Sequence, residues 1–183
     1  MAKKAVIFLA NGFEESEALV PYDILKRAKV DVTLAAVGGN LNVESSHGVR
    51  VAADALAENI TGSYDLVVLP GGMPGTLNLQ ASEDVRRVVN AAVDAGSLVG
   101  AICAAPMILG TLGILRDKKA TCFPGFEKYL EGATHLRQHV VRDQNIITAA
   151  GAGAAILFGL ELVSALFDSD LASRISQEIQ LTL

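Results

Sequence analysis

The chain has 183 residues, a net charge of −5 and 51% hydrophobic residues. That length suits one domain with a core of its own, and that hydrophobic content excludes a disordered chain. Lys and Arg are scattered and form no basic block, so a nucleic-acid partner is not expected.

The first apolar run, Ala5 to Ala10, reads as a strand covered on both faces. It is shorter than the roughly 7–15 residues of a signal-peptide core, and Glu14, Glu15 and Glu17 follow at once. Residues 14–29 read as a helix. Pro21 inside it leaves the Glu17 carbonyl without its helical partner, so a bend is expected at Glu17. Residues 30–37 and 64–70 are strand-like, and the second ends in Pro70-Gly71-Gly72. Residues 82–96 form the clearest helix. Ser82 can cap it, Val85, Val88, Val89, Ala92 and Val93 share one face, and Gly96 stops it. Residues 97–102 are the next strand and 104–113 a short helix with Pro106 in its first turn. Residues 118–123 predict a strand, 139–150 a hairpin turning at Asp143 to Asn145, and 154–167 and 170–181 two helices.

Two uncharged runs, Leu98 to Leu115 and Ile146 to Leu160, are shorter than the roughly 20 residues of a membrane span and are interrupted by glycine. Each parses as a strand followed by a helix. Strand–helix alternation implies a mainly parallel sheet with helices on both faces, as one α/β domain over 1–183. Two cysteines are too few for a disulfide scaffold, which suits a reducing, cytoplasmic setting.

Ligands of parallel sheets sit beyond the carboxyl ends of the strands. Three strand exits here carry an acid cluster (Glu14, Glu15, Glu17), a glycine pair (Gly71, Gly72) and a thiol (Cys103). A cysteine opening a helix is stabilised as thiolate, so its pKa is expected to fall. The same position also suits an inert buried cysteine. Backbone N–H groups of Gly71, Gly72 and Ala104 can face a developing oxyanion, although any tight turn after a strand uses such glycines. An acid buried beside a thiol has a raised pKa and can pass a proton. Most of the acids at 14–17 equally suit a solvated helix start. His135 and His139 are four apart but lie in loop and strand, and no zinc pattern appears, so no metal is expected. GAGAA at 151–155 lacks the third glycine of a dinucleotide fingerprint and no Walker sequence exists, so no cofactor is expected. Cys122 reads as structural.

The segments Ala10 to Glu17, Asp65 to Gly72 and Ala101 to Pro106, in this order, resemble the DJ-1 family of the DJ-1/ThiJ/PfpI superfamily, with the bacterial YajL-type branch as the nearest likeness. The resemblance implies a flavodoxin-like three-layer sandwich, similar to class I glutaminases, assembled as a homodimer. It implies Cys103 as nucleophile, Glu17 as a protonated partner of its sulfur, and Gly71, Gly72 and Ala104 as backbone lining the pocket. It puts His47 in the pocket or at the dimer interface and Phe123 where some relatives have a pocket histidine. Peptidase members carry a histidine directly after the cysteine, where this chain has Ala104, so a peptidase is not implied. The family's GPGT is here Gly151-Ala152-Gly153-Ala154. The implied activities are glutathione-independent glyoxalase or deglycase chemistry on reactive dicarbonyls or their adducts. The alternative is a redox-sensing stress protein or chaperone working through Cys103 oxidation.

Overall fold

A computed structural model describes residues 2–181. In chain order the elements are β1 (Lys4–Leu9), α1 (Glu15–Arg27), β2 (Asp31–Ala36), β3 (Asn42–Glu44), β4 (Arg50–Ala52), β5 (Ala55–Leu56), β6 (Leu66–Leu69), α2 (Gly75–Ala81) and α3 (Glu83–Asp94). Then come β7 (Leu98–Ile102), α4 (Pro106–Thr111), β8 (Lys119–Ala120), β9 (Thr134–His135), β10 (Val140–Asp143), β11 (Ile146–Ala149), α5 (Ala155–Leu166) and α6 (Ser169–Glu178). The predicted domain over 1–183 includes Met1, Thr182 and Leu183, which lie outside the described residues.

Seven strands form one sheet in the order β10-β11-β7-β6-β1-β2-β5. Every pairing is parallel except β10 with β11. The continuous apolar runs have their cause here, because both faces of the sheet are covered. Ile7, Leu9, Val68 and Ile147 pack with Ile24, Leu25, Phe158 and Leu162 of α1 and α5. Val6, Phe8, Val67, Leu69 and Val99 pack the other way, against Leu79, Val85, Val89 and Ile108 of α2, α3 and α4. Burying each such side chain contributes about 1.5–3 kcal/mol.

The Ser82 hydroxyl accepts the Val85 N–H at 3.3 Å, the cap expected for α3. Helix α1 runs without interruption through Pro21. The missing proline N–H therefore leaves one carbonyl free and does not end the helix. The strand expected at 118–123 is only Lys119–Ala120, paired in parallel with β9. Beyond it the Thr121 N–H is taken by the Thr148 side chain at 2.9 Å, so a side chain replaces the ladder bond. The helix expected at 104–113 is confined to Pro106–Thr111. Several elements gave no sequence signal: the β3–β4 hairpin, whose residues alternate weakly, the two-residue strands β5 and β9, and α2, which follows Pro74 and opens on a glycine. Among the described residues, no helix is long and apolar enough to cross a membrane.

Candidate active site

Strands β1, β6 and β7 are neighbours in the sheet, so their exits meet at one edge. The Glu14 N–H donates to the Gly71 carbonyl at 3.0 Å and the Gly75 N–H to the Gly12 carbonyl at 3.2 Å, which join the first two exits. The unpredicted β3–β4 hairpin closes the same edge. It receives the Gly12 N–H on Glu44 and gives the Ser46 N–H to Phe13, both at 2.8 Å.

Cys103 directly follows β7 with φ of +64°, a left-handed conformation unfavourable for a residue with a side chain. Its neighbours hold it there. The Cys103 N–H donates to Ala149 O and the Phe123 N–H donates to Cys103 O, each at 2.8 Å. This sharp turn leaves Cys103 partly exposed.

Glu17 lies in the first turn of α1 and is only 1% exposed. Its Oε2 accepts the Gly71 N–H at 2.9 Å, and its carboxyl shares a hydrogen bond with the Cys103 thiol. A Cβ at Gly71 would stand 2.5 Å from Glu17 Oε2 and 2.6 Å from Cys103 Cβ, so only glycine leaves room for the pair. Gly72, at φ +86°, is likewise closed to a side chain by the Glu14 amide and the Gly12 carbonyl. The amides of Gly72 and Ala104 point at the Cys103 sulfur, whereas that of Gly71 is engaged by Glu17.

Burial pushes the Glu17 carboxyl up to about 7, with the charge of Glu14 adding to the rise and hydrogen bonds from Cys103 and Gly71 opposing it. The thiol moves opposite to the expectation drawn from a helix start. Burial, then the charge and hydrogen bond of Glu17, push Cys103 up to about 12, against the pull of the Gly72 and Ala104 amides. Helix α4 begins only at Pro106, so its first turn does not offset the loss of water around the sulfur. Near neutral pH the thiol therefore keeps its proton and the Glu17 carboxyl is partly ionised, so the carboxylate beside the sulfur can act as a base only as the sulfur attacks.

A cavity of about 290 Å³ opens over this pair. Glu14, Glu17 and Cys103 line it together with Met73, Phe123 and Phe126, and Gly72, Ala104 and Ala152 complete its wall. Phe123 is 47% exposed. Met73 and Phe126 carried no sequence signal, whereas Glu14 belongs to the acid cluster at the first strand exit and Ala152 to the segment that replaces the family's GPGT. His47 does not line the cavity. It is exposed and binds through Nδ1 to Glu15 Oε1 at 3.0 Å, with Glu14 Oε2 at 3.6 Å. The hydrogen bond to Glu15 pushes the His47 pKa up. Burial works against ionisation of Glu15, but hydrogen bonds from its own amide and from His47 prevail and hold its carboxyl below the usual range. Ligand atoms of Glu14, Glu15 and His47 lie within 4.8 Å of one another, the only such grouping among the described residues that could hold a metal ion. Cys122 is buried beyond Phe123, and burial, then the charge of Glu127, push its thiol up to about 11.

Comparison with known proteins identifies the family and the fold. The model of the DJ-1/PfpI family matches residues 3–165. The chain is 36% identical over 171 residues to Protein DJ-1 homolog B of Arabidopsis thaliana, matched over 92% of this chain but 39% of that protein; it spans about two fifths of that relative's length. It is 33% identical over 178 residues to a protein of Schizosaccharomyces pombe named glutathione-independent glyoxalase DJ-1, covering 91% of this chain and 93% of that one. Among solved structures, oxidized Toxoplasma gondii DJ-1 superposes with a TM-score of 0.96 at 32% identity, covering 100% of both chains.

Proposed function

Because the chain belongs to the DJ-1/PfpI family, we propose that it is a stress-protection enzyme that converts reactive dicarbonyls without glutathione, with Cys103 as nucleophile and Glu17 as proton shuttle. The observation that carries the reading is the buried Glu17 carboxyl set beside the Cys103 thiol on one cavity wall. A carboxyl near pKa 7 hydrogen-bonded to the thiol is matched to proton transfer at neutral pH. The glyoxalase named among its relatives supports the same chemistry.

Glu17 takes the thiol proton as the sulfur attacks the aldehyde carbon of methylglyoxal, and a hemithioacetal forms. The amides of Gly72 and Ala104, which point at the sulfur, are the donors at hand for the oxygen on which charge develops. Glu17 returns its proton to that oxygen, removes the proton now on the former aldehyde carbon and delivers it to the neighbouring carbon, while the hydroxyl proton of the first oxygen passes to the second. The product is a lactoyl thioester. Water cleaves it to lactate and regenerates the thiol, so the net reaction is methylglyoxal plus water giving lactate and a proton. No step calls on a metal or cofactor. We read the protein as a single-domain, cytoplasmic homodimer. Its two free cysteines and the exposed apolar side chains of Leu41, Val49, Leu77 and Ile156 favour that reading.

Lactate formed from methylglyoxal without glutathione tests the proposal. Repeated turnovers by the wild type, lost in Cys103→Ser, are expected; turnover retained by the variant removes Cys103 as nucleophile. A second reading, a redox sensor, is favoured by the relative solved in an oxidized state and by the partly exposed Cys103. Two equivalents of peroxide take a thiol to the sulfinic acid, releasing two waters. No lactate, with Cys103 oxidised stoichiometrically by peroxide, selects that reading.

A further inference from the structure

The pocket over Cys103 has a charge character that the reaction itself does not require. Among the described residues, the two charged ones that line it are both acids, Glu14 and Glu17. The remaining wall is backbone, apolar side chain and the thiol, and among the described residues no Lys, Arg or His lines it. The two acids differ in kind. Glu17 is buried and bound to the sulfur, and it holds or passes a proton. Glu14 stands at the entry to α1 with its side chain 20% exposed. Two hydroxyl groups hold it in place: Ser16 Oγ donates to its Oε1 at 3.1 Å and Ser46 Oγ to its Oε2 at 3.2 Å. Hydroxyl donors fix a carboxylate without cancelling its charge. The nearest cation is His47 at 3.6 Å, which is bound more closely to Glu15 and is 68% exposed.

We infer that Glu14 is a specificity-determining residue that makes the pocket accept uncharged or positively charged carbonyl compounds and reject anionic ones. The inference rests on the assignment of Cys103 as the reactive group and deepens it by naming the substrate class. That class is an uncharged α-oxoaldehyde, or the adduct such a compound forms on an amine or guanidinium side chain. Phosphorylated or carboxylated carbonyl compounds fall outside it. One carboxylate on the wall of a half-open pocket changes the encounter with a unit charge by roughly threefold to tenfold in either direction. A Debye length of about 10 Å at 0.1 M salt makes the effect sensitive to ionic strength.

The test compares three methanethiosulfonate reagents at pH 7 and low salt: neutral methyl, anionic sulfonatoethyl and cationic trimethylammonioethyl. In each, the Cys103 sulfur displaces methanesulfinate and forms a mixed disulfide, and peptide mass assigns the label to Cys103 rather than Cys122. Each rate is divided by that of the same reagent with 2-mercaptoethanol, which removes intrinsic reactivity and the attraction of the thiolate itself. A cation-to-anion ratio of roughly tenfold or more is expected for the wild type. It should fall toward one in Glu14→Gln and, without any substitution, in 0.5 M salt. A wild-type ratio near one, or an equal ratio in Glu14→Gln, overturns the inference. Labelling needs no turnover, so the two readings fail separately. If the ratio stands but methylglyoxal yields no lactate, charge selection survives and the dicarbonyl reading falls.

Discussion

Replacing Glu17 by Gln is expected to stabilise the protein at alkaline pH while impairing it as a catalyst. The folded state holds the Glu17 proton more tightly than the unfolded chain does, since burial raises the pKa from 4.5 to about 7. This group's contribution to stability is therefore fully present below about pH 4.5. It is lost as pH rises toward 7 and levels off above that. At about 1.4 kcal/mol per pH unit, the wild type forfeits about 1 kcal/mol at pH 5 and about 3 kcal/mol at pH 8 through this one side chain. Glutamine escapes the loss. Its carbonyl can still accept the Gly71 N–H and its amide can face the sulfur, so the local bonds survive. For a chain of this size each kcal/mol moves Tm by about 2–4 °C, so the variant should melt about 6–12 °C higher at pH 8 and within a few degrees of wild type at pH 5. Guanidinium unfolding at both pH values and equal protein concentration reads the difference. Parallel pH–stability curves for the two proteins would refute the reasoning, because they would mean that Glu17 carries no buried charge above neutrality. In the lactate assay the same variant should lose about 10²-fold or more in turnover, the usual worth of a positioned proton carrier.

Gly71→Ala places a methyl group against both Glu17 Oε2 and Cys103 Cβ, so it should cost about 1–3 kcal/mol and nearly abolish turnover. Unchanged Tm and lactate formation would show that the pair tolerates displacement. Thr148→Val removes the acceptor of the buried Thr121 N–H and should cost about 1–3 kcal/mol in chemical denaturation. It should also slow Cys103 labelling, because the 121–123 segment holds the Cys103 carbonyl through Phe123; wild-type labelling would show that this clamp does not depend on Thr148.

Much of the site was legible because parallel strands have a simple grammar. An unbroken apolar run such as Ala5 to Ala10 signals a strand covered on both faces, and the residue after it lies at a carboxyl edge. Cys103, Gly71 and Gly72 were found in this way. The choice among Glu14, Glu15 and Glu17 came from the bend expected at Pro21 and from family resemblance, and helix α1 does not break there. A better signal was present. Glu17 shares a face with Ala18, Pro21, Ile24 and Leu25, all buried, so helical periodicity alone places this acid in the core. The β3–β4 hairpin escaped because its residues are mostly exposed and polar, which removes the alternation that marks a strand.

The sequence by itself determined the α/β class, the mainly parallel sheet, the three converging strand exits and the identity of the thiol. These follow from local patterns of burial and from chain order. Tertiary structure decided the chemistry of the pair. A helix start lowers a thiol pKa and burial beside a carboxylate raises it, and which prevails depends on water excluded by residues far apart in the chain. It also decided that His47 turns to Glu15 instead of the cavity, and that Glu14 remains a fixed charge on the cavity wall. Three acids within four positions are alike as letters. They differ only once a hairpin, a glycine turn and a cysteine from distant strands surround each of them differently.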